Sequence, residues 1–290
     1  MHGLGNDFVI LDGRENGLEL SLEQRQFIAD RKRGVGCDQL IVIERSKNWS
    51  EMNFMRIYNP DGSEAEACGN ATRCLADLLM IEDDVDNIVI ETVVGSLNCW
   101  KEGDKLVRVE MGVPKLDWQE IPLLKNCDTL YLEGLRLASE LRPSSKENLP
   151  VAVNMGNPHC VFFVDFKDAS GAQARYGCLD NWPDEELAKL GAKFEIDPIF
   201  PNKTNVEFAQ ILAPDHVRMR VWERAAGITQ ACGSGACATA VAAIRRGLTE
   251  RKMTVTLDGG DLIIDWPSDK APVHMTGPVA YVFDGVLNSP

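Results

Sequence analysis

Histidine and net positive charge are what this sequence has least of. Only four histidines, His2, His159, His216 and His274, occur in 290 residues, and no two have the spacing of a metal-binding pair. Lys and Arg number 30 against 44 Asp and Glu, and the formal charge of −14 argues against a nucleic-acid binder, which shows a basic patch or stripe. No stretch approaches the roughly 18 unbroken apolar residues of a membrane span. A basic-then-apolar leader is also missing from the opening Met1-His2-Gly3-Leu4-Gly5-Asn6-Asp7, so the expected compartment is the cytoplasm. Cysteine is plentiful, but the spacings of a disulfide framework or a zinc site are absent. The nine thiols are an odd number in a long chain, and the closest pairs, Cys68/Cys74 and Cys232/Cys237, are six and five residues apart. No metal is expected.

What is present is an ordinary globular composition, 44% hydrophobic and 26% charged, in a chain long enough for one large domain or two medium ones. Short similarities recur in the same order. Gly5-Asn6-Asp7-Phe8-Val9-Ile10 is echoed by Gly156-Asn157-Pro158-His159-Cys160-Val161, and Gly36-Cys37-Asp38-Gln39-Leu40-Ile41 by Thr204-Asn205-Val206-Glu207-Phe208. Ala67-Cys68-Gly69-Asn70 is echoed by Ala231-Cys232-Gly233-Ser234. Three landmarks in matched order imply a duplicated domain, since solenoid repeats are far shorter. Each half reads as strand-rich, with strands at residues 9–11, 40–43, 54–58, 88–94 and 106–109, then 161–164, 216–221 and 253–257. One main helix per half is expected, over 71–80 and 236–244, with apolar residues on several faces. The fold class is therefore α+β: two pseudo-symmetric half-domains, 1–115 and 116–290, each a mostly antiparallel sheet wrapped around a central helix. The final strand is expected to return to the first half. Arg142–Asn148 reads as an exposed loop.

The chemistry resides in the repeated Cys-Gly element. A thiol at a helix start lies beside N–H groups that have no partner within the helix, and the dipole there favours negative charge. That setting is expected to lower both cysteine pKa values. Two such thiols suggest a paired acid and base. Cys74 and Cys237, one to two turns further on, read as core.

The joint pattern resembles the diaminopimelate epimerases, almost from end to end. The landmarks are Met1-His2-Gly3-Leu4-Gly5-Asn6-Asp7-Phe8, Tyr58-Asn59-Pro60-Asp61-Gly62-Ser63 and Ala67-Cys68-Gly69-Asn70 in the first half. In the second they are Asn154-Met155-Gly156-Asn157-Pro158-His159, Trp222-Glu223-Arg224 and Ala231-Cys232-Gly233-Ser234-Gly235-Ala236-Cys237. The resemblance implies a cofactor-independent isomerase that inverts one stereocentre of LL-2,6-diaminopimelate to give the meso form, in lysine and cell-wall precursor synthesis. Cys68 and Cys232 would work on opposite faces of the α-carbon, one as base and the other as acid. The N–H groups of Gly69, Asn70, Gly233 and Ser234 would hold the α-carboxylate as charge develops. Arg224 suits the distal carboxylate and Glu223 an ammonium. Asn6, Gln39, Asn59, Asn157 and Asn205 match the family's substrate contacts, and His159 and Glu223 its polar residues near the thiols. A homodimer is implied by the resemblance alone.

Three departures qualify the match. The short apolar strand that commonly precedes Met1-His2 is missing, which would leave an unpaired edge or mark an incomplete start. Ala71-Thr72 replaces Gly-Ala after the first Cys-Gly-Asn. Arg224-Ala225-Ala226-Gly227-Ile228-Thr229 replaces Arg-Gly-Ala-Gly-Glu-Thr, which puts an alanine where the loop usually has glycine. Three other readings stay open. A proline or hydroxyproline racemase uses the same two-thiol logic, but its substrate would leave Arg224 and the amides nothing to hold, and its first motif would read Cys-Gly-His. The phenazine-biosynthesis isomerases use a carboxylate in place of thiols and fit less well. From another class, Cys68 and Cys232 could form the reversible disulfide of a non-enzymatic redox sensor.

Overall fold

The computed structural model describes residues 1–15, 17–48, 52–65, 68–135, 137, 149–164 and 178–287. The loop expected at Arg142–Asn148 lies outside them. The chain divides into two compact units, Met1–Glu110 with Thr276–Pro290 and Met111–Met275.

The first unit carries β1 (His2–Gly3), β2 (Asn6–Asp12), α1 (Leu22–Ala29), β3 (Gln39–Arg45), β4 (Asn53–Tyr58) and β5 (Glu64–Ala65). It continues with α2 (Gly69–Asp83), β6 (Asn87–Thr92), β7 (Gly95–Gly103) and β8 (Leu106–Glu110). Parallel pairing occurs at β2/β3 and β4/β6, where α1 and α2 supply the crossover that parallel neighbours need. The other pairs are antiparallel. Helix α2 packs against β1, β2, β6, β7 and β8. Its residues 70–77, 79 and 80 are buried, so it is enclosed on nearly every face. The edge expected to lie open at the amino terminus is paired, because His2 and Ala280 exchange both N–H···O bonds at 2.9 Å.

The second unit repeats the plan with β9 (Val151–Asn154), β10 (Pro158–Phe163), α3 (Asp184–Glu195), β11 (Asn205–Ala213), β12 (His216–Glu223) and β13 (Gly227–Ile228). Then follow α4 (Gly233–Arg245), β14 (Lys252–Leu257) and β15 (Gly260–Asp265). Again β10/β11 and β12/β14 are parallel and the remaining pairs antiparallel. Helix α4 packs on β9, β10, β11, β12, β14 and β15. Its small residues, Gly233, Gly235, Ala236, Cys237, Ala238 and Ala240 among them, are buried. The surrounding core is aromatic: Phe162 lies 4.6 Å from Phe194 and 5.8 Å from Phe208, with Trp182 edge-on to Phe208 at 4.9 Å.

The pairing order is therefore the same in both units, and the halves are pseudo-symmetric. The register makes the correspondence residue-specific. Phe8 faces Gln39 as His159 faces Asn205, and Leu40 faces Tyr58 as Val206 faces Trp222. The expected main helices are α2 and α4. The structure adds a second helix to each unit, which the sequence reading lacked. Helix α1 is announced by a capping box, in which Ser21 and Gln24 bond each other's backbone. Helix α3 starts after Pro183 with Asp184, Glu185 and Glu186 in its first turn, where the helix dipole favours acids. One expected strand is too long. Residues 88–94 were expected to be extended, but β6 ends at Thr92, which pairs with Gly95 and leaves Val93 and Val94 as exposed hairpin-turn residues.

Helix α3 fixes the turn between β12 and β13. Gly191 approaches so closely that an added Cβ would lie 2.4 Å from Trp222 Cβ. From the end of the helix Glu195 accepts the Trp222 indole N–H at 2.8 Å and the Ala225 N–H at 3.2 Å. Ala225, the alanine that replaces glycine, holds φ at 64°, the left-handed region, so the turn keeps glycine's geometry without glycine. Two stability changes follow. Gly191→Ala should cost about 1–3 kcal/mol through overpacking on Trp222, seen as a lower urea midpoint; an unchanged midpoint would show that the helix yields. Ala225→Gly should stabilise by about 0.5–1 kcal/mol, the left-handed penalty of about 1–2 less glycine's own entropic cost. A lower midpoint for that variant would contradict the strain argument.

Candidate active site

Each central helix begins one residue after a cysteine. Cys68 is the N-cap of α2 and Cys232 the N-cap of α4, both with extended backbone, so the N–H groups of Gly69, Asn70, Gly233 and Ser234 occupy the first helical positions. The repeated Cys-Gly element thus forms the strand-side entry to a buried helix in both units. Beyond that, the two surroundings differ.

In the first unit Cys68 is partly exposed and its thiol reaches Asn6 Oδ1 at 3.7 Å. The same oxygen accepts from Asn70 Nδ2 at 3.2 Å, and Asn70 in turn accepts from Arg73, which is fully buried one turn into the helix. The Asn6 amide is oriented from behind, because its Nδ2 donates to Asp38 Oδ2 at 2.9 Å and a carboxylate can only accept. Arg31 holds that carboxylate and Asp7 together at 2.7–2.8 Å. Burial would raise the Asp7 pKa, but the hydrogen bonds and charge of Arg31 outweigh it and hold the carboxyl below its usual range. A second pair of expected residues also meets here. Gln39 Nε2 donates to Asn59 Oδ1 at 3.2 Å, and the buried Gln39 Oε1 has no partner among the described residues. Of the six first-unit residues expected from the sequence, the five with polar side chains, Asn6, Cys68, Asn70, Gln39 and Asn59, fall into two small amide clusters.

In the second unit Cys232 is 4% exposed and lies 3.6 Å from the Ser234 hydroxyl. Here the expected depression of the thiol pKa does not occur. Burial, then the charges of Glu223 and Glu207, push Cys232 well above the ordinary thiol value; Ser234 and the Gly235 N–H pull the other way without prevailing. Cys232 therefore rests as a thiol at neutral pH.

His159 is fully buried between two oxygens, with Nδ1 2.6 Å from Glu207 Oε1 and Nε2 2.8 Å from Asn157 Oδ1. Asn205 is buried and committed to the backbone, donating to the Pro158 carbonyl at 3.0 Å and accepting the Arg224 N–H at 2.9 Å. Its geometry positions Arg224 as much as any ligand. Arg224 is exposed, bonds the Asn202 carbonyl at 3.2 Å and has no carboxylate partner among the described residues. Glu223 is half-buried and accepts from the Thr229 hydroxyl.

Sequence reasoning missed Glu207, Asp38, Arg31 and Thr229. Glu207 could have been noticed as the one acid in Val206-Glu207-Phe208-Ala209, a run that is otherwise apolar. The others carry no comparable signal. Among the described residues no three His, Cys, Asp or Glu side chains form a group able to hold a metal ion, and no helix is long and apolar enough to cross a membrane.

Comparison with known proteins agrees with this geometry. A family model described as diaminopimelate epimerase matches residues 1–116 and 151–282. The diaminopimelate epimerase of Rhodospirillum centenum is 49% identical over 290 residues, covering 99% of this chain and 91% of the relative. That of Acidiphilium cryptum is 48% identical over 289 residues, covering 100% and 95%. Solved structures extend the fold to distant enzymes. A phenazine biosynthesis protein of the PhzF family from Bacillus anthracis aligns with a TM-score of 0.62 at 17% identity, over 99% of this chain and 95% of that one. A hydroxyproline epimerase from Agrobacterium vitis aligns with a TM-score of 0.62 at 13% identity, over 97% and 89%. At that identity they speak for the fold alone. Near-complete coverage at almost half identity, with both Cys-Gly elements at the starts of the two central helices, shows that the chain belongs to the diaminopimelate epimerase family.

Proposed function

We propose that this chain converts LL-2,6-diaminopimelate to meso-diaminopimelate without a cofactor, with Cys68 and Cys232 as the two proton-transfer groups. The observation that carries the reading is the occurrence of a thiol at the N-cap of the central helix in both units of a duplicated fold. Inversion at carbon needs a base on one face and an acid on the other. One thiolate takes the α-proton as the Cα–H bond breaks, and the electron pair is held on Cα and its carboxylate. The other thiol's S–H bond breaks to deliver a proton to the opposite face. The pair ends the turnover with its single proton on the other sulfur, so the reverse reaction uses the same groups in exchanged roles.

The α-proton of an amino acid is a weak acid, so the developing charge needs fixed donors. The N–H groups of Gly69, Asn70, Gly233 and Ser234 take that role in this reading, as helix N-termini suited to a carboxylate. Arg224 grips the distal carboxylate, Glu223 an ammonium, and Asn6, Gln39, Asn59 and Asn157 supply polar contacts, with Asn205 holding the Arg224 loop. Burial and two flanking carboxylates push the Cys232 pKa up and favour its thiol form in the resting enzyme. His159 tunes or positions; it is not the primary base. The reading includes a homodimer in the cytoplasm, supported by the family resemblance, and light scattering on the purified chain tests the dimer.

Three outcomes are expected. Incubated with LL-diaminopimelate in deuterated water under reducing conditions, the protein should form meso product carrying deuterium at one α-carbon. Absence of product and exchange, with turnover of proline or hydroxyproline instead, would favour the racemase reading; inertness toward both would favour the thiol sensor. Cys68→Ala and Cys232→Ala should each lower the rate in both directions by at least about 10²–10⁴-fold, the worth of a positioned acid or base. Full activity in either variant would end the two-base assignment. Iodoacetamide at pH 7.5 should alkylate the partly exposed Cys68 well before the buried, protonated Cys232, read by peptide mass mapping. Equal or reversed rates would show that the burial and charge analysis of Cys232 is wrong.

A further inference from the structure

The duplication supplies its own control for what the fold requires. Because Phe8 pairs with Gln39 as His159 pairs with Asn205, Phe8 corresponds to His159, and Ile41 to Glu207 two residues along the next strand. In the first unit these positions are filled by hydrocarbon, at 4% and 0% exposure. In the second they hold an imidazole and a carboxylate whose side chains are both 0% exposed. The same strand frame closes over either pair. Burying two ionisable groups where apolar residues serve is seldom stabilising, so the architecture alone does not account for them.

Their geometry says what the pair does. Burial raises the Glu207 pKa while the charge and hydrogen bond of His159 lower it; as a carboxylate Glu207 only accepts, and its 2.6 Å contact then places a proton on His159 Nδ1. By the same rule the Asn157 amide oxygen, 2.8 Å from Nε2, accepts from that nitrogen, so Nε2 is the ring nitrogen whose proton faces an uncharged partner. The carboxylate also abuts the thiol. A Cβ added to Gly235 would lie 2.9 Å from Glu207 Oε1 and 3.2 Å from Cys232 Sγ, so both groups border the one point that the glycine leaves empty. Glu207 Oε2 is buried with no hydrogen-bond partner among the described residues. His159 and Glu223 also act on this carboxylate or thiol, and the buried Cys160 thiol on β10 is raised in part by the Glu207 charge.

We propose that Glu207 is a positioning residue for the epimerisation: it fixes the His159 ring with Nδ1 protonated, so that Nε2 is the working nitrogen, and Gly235 is glycine to admit that carboxylate beside Cys232. The functional part of this inference rests on the proposed reading of His159 as a group that supports the thiols.

The test separates the tautomer from the turnover. With nitrogen-15-labelled histidine, long-range proton–nitrogen correlation spectra report which ring nitrogens carry protons, and the His159 signals are those lost in His159→Asn. The native protein should show Nδ1 protonated. Glu207→Gln should shift His159 toward the tautomer protonated at Nε2 and lower kcat roughly 10–100-fold with KM within about threefold, the usual cost of losing a histidine's orienting partner. Glu207→Asp should restore the native tautomer and part of kcat. An unprotonated Nδ1 in the native protein would overturn the proposal even if no variant folds. So would a Glu207→Gln variant that keeps the native tautomer, whether or not kcat falls. If the cysteine variants remained active, the two-base reading would fail while the nitrogen spectra still decided the role of Glu207.

Discussion

The immobility of two buried helices is the constraint on which the rest depends. Helices α2 and α4 are crossovers between parallel strands, and each is enclosed by its own sheet, so neither can slide or rotate without repacking a core. A residue at the first turn of such a helix inherits that rigidity. Cys68 and Cys232 sit there, where strand geometry ends and the first N–H groups have no partner within the helix. The fold thereby presents a thiol and an array of donors in fixed relation within each unit, and it does so twice through a single duplicated plan. Small residues serve this end in α4: glycine and alanine along Gly233–Ala240 let the sheet approach the helix closely.

Symmetry of frame has not meant symmetry of environment. The first thiol is half-open and amide-lined, with the Asn6 oxygen turned toward it by Asp38 and a buried arginine one turn on. The second is enclosed, and the charges near it are the carboxylates of Glu207 and Glu223. A helix N-terminus contributes about half a unit of positive charge, enough to bias an exposed thiol but not to offset full burial beside two acids. The same backbone device is therefore set in two different surroundings, and in the second the thiol pKa is pushed up.

How much of this the sequence discloses depends on whether a feature is periodic or relational. The two central helices were legible because small and apolar residues crowd several faces at 71–80 and 236–244. The duplication was legible because landmarks recur in order. The turn Val93–Val94 was not, since two β-branched residues ahead of a glycine look like strand until the pairing of Thr92 with Gly95 is seen. Helix α1 is weakly amphipathic and depends on its cap, a signal four residues long. The expected site residues were named by motif, but motif could not show that Asn205 is occupied with backbone groups or that Cys232 is pushed up in pKa. Those facts are sums over neighbours from distant strands.

Ala225 shows how such a neighbourhood constrains sequence change. Its N–H is held by Glu195 at the end of α3, and the turn it occupies joins Glu223 and Arg224 to the short strand β13. With both flanks fixed, the alanine holds φ at 64°, a left-handed conformation that costs a residue with a Cβ more than it costs glycine. The departure at this turn therefore bears on stability before it bears on what Arg224 can hold. The anchors of this turn are Glu195, Asn205 and the Gly191–Trp222 contact, and these set the direction in which the arginine leaves the sheet.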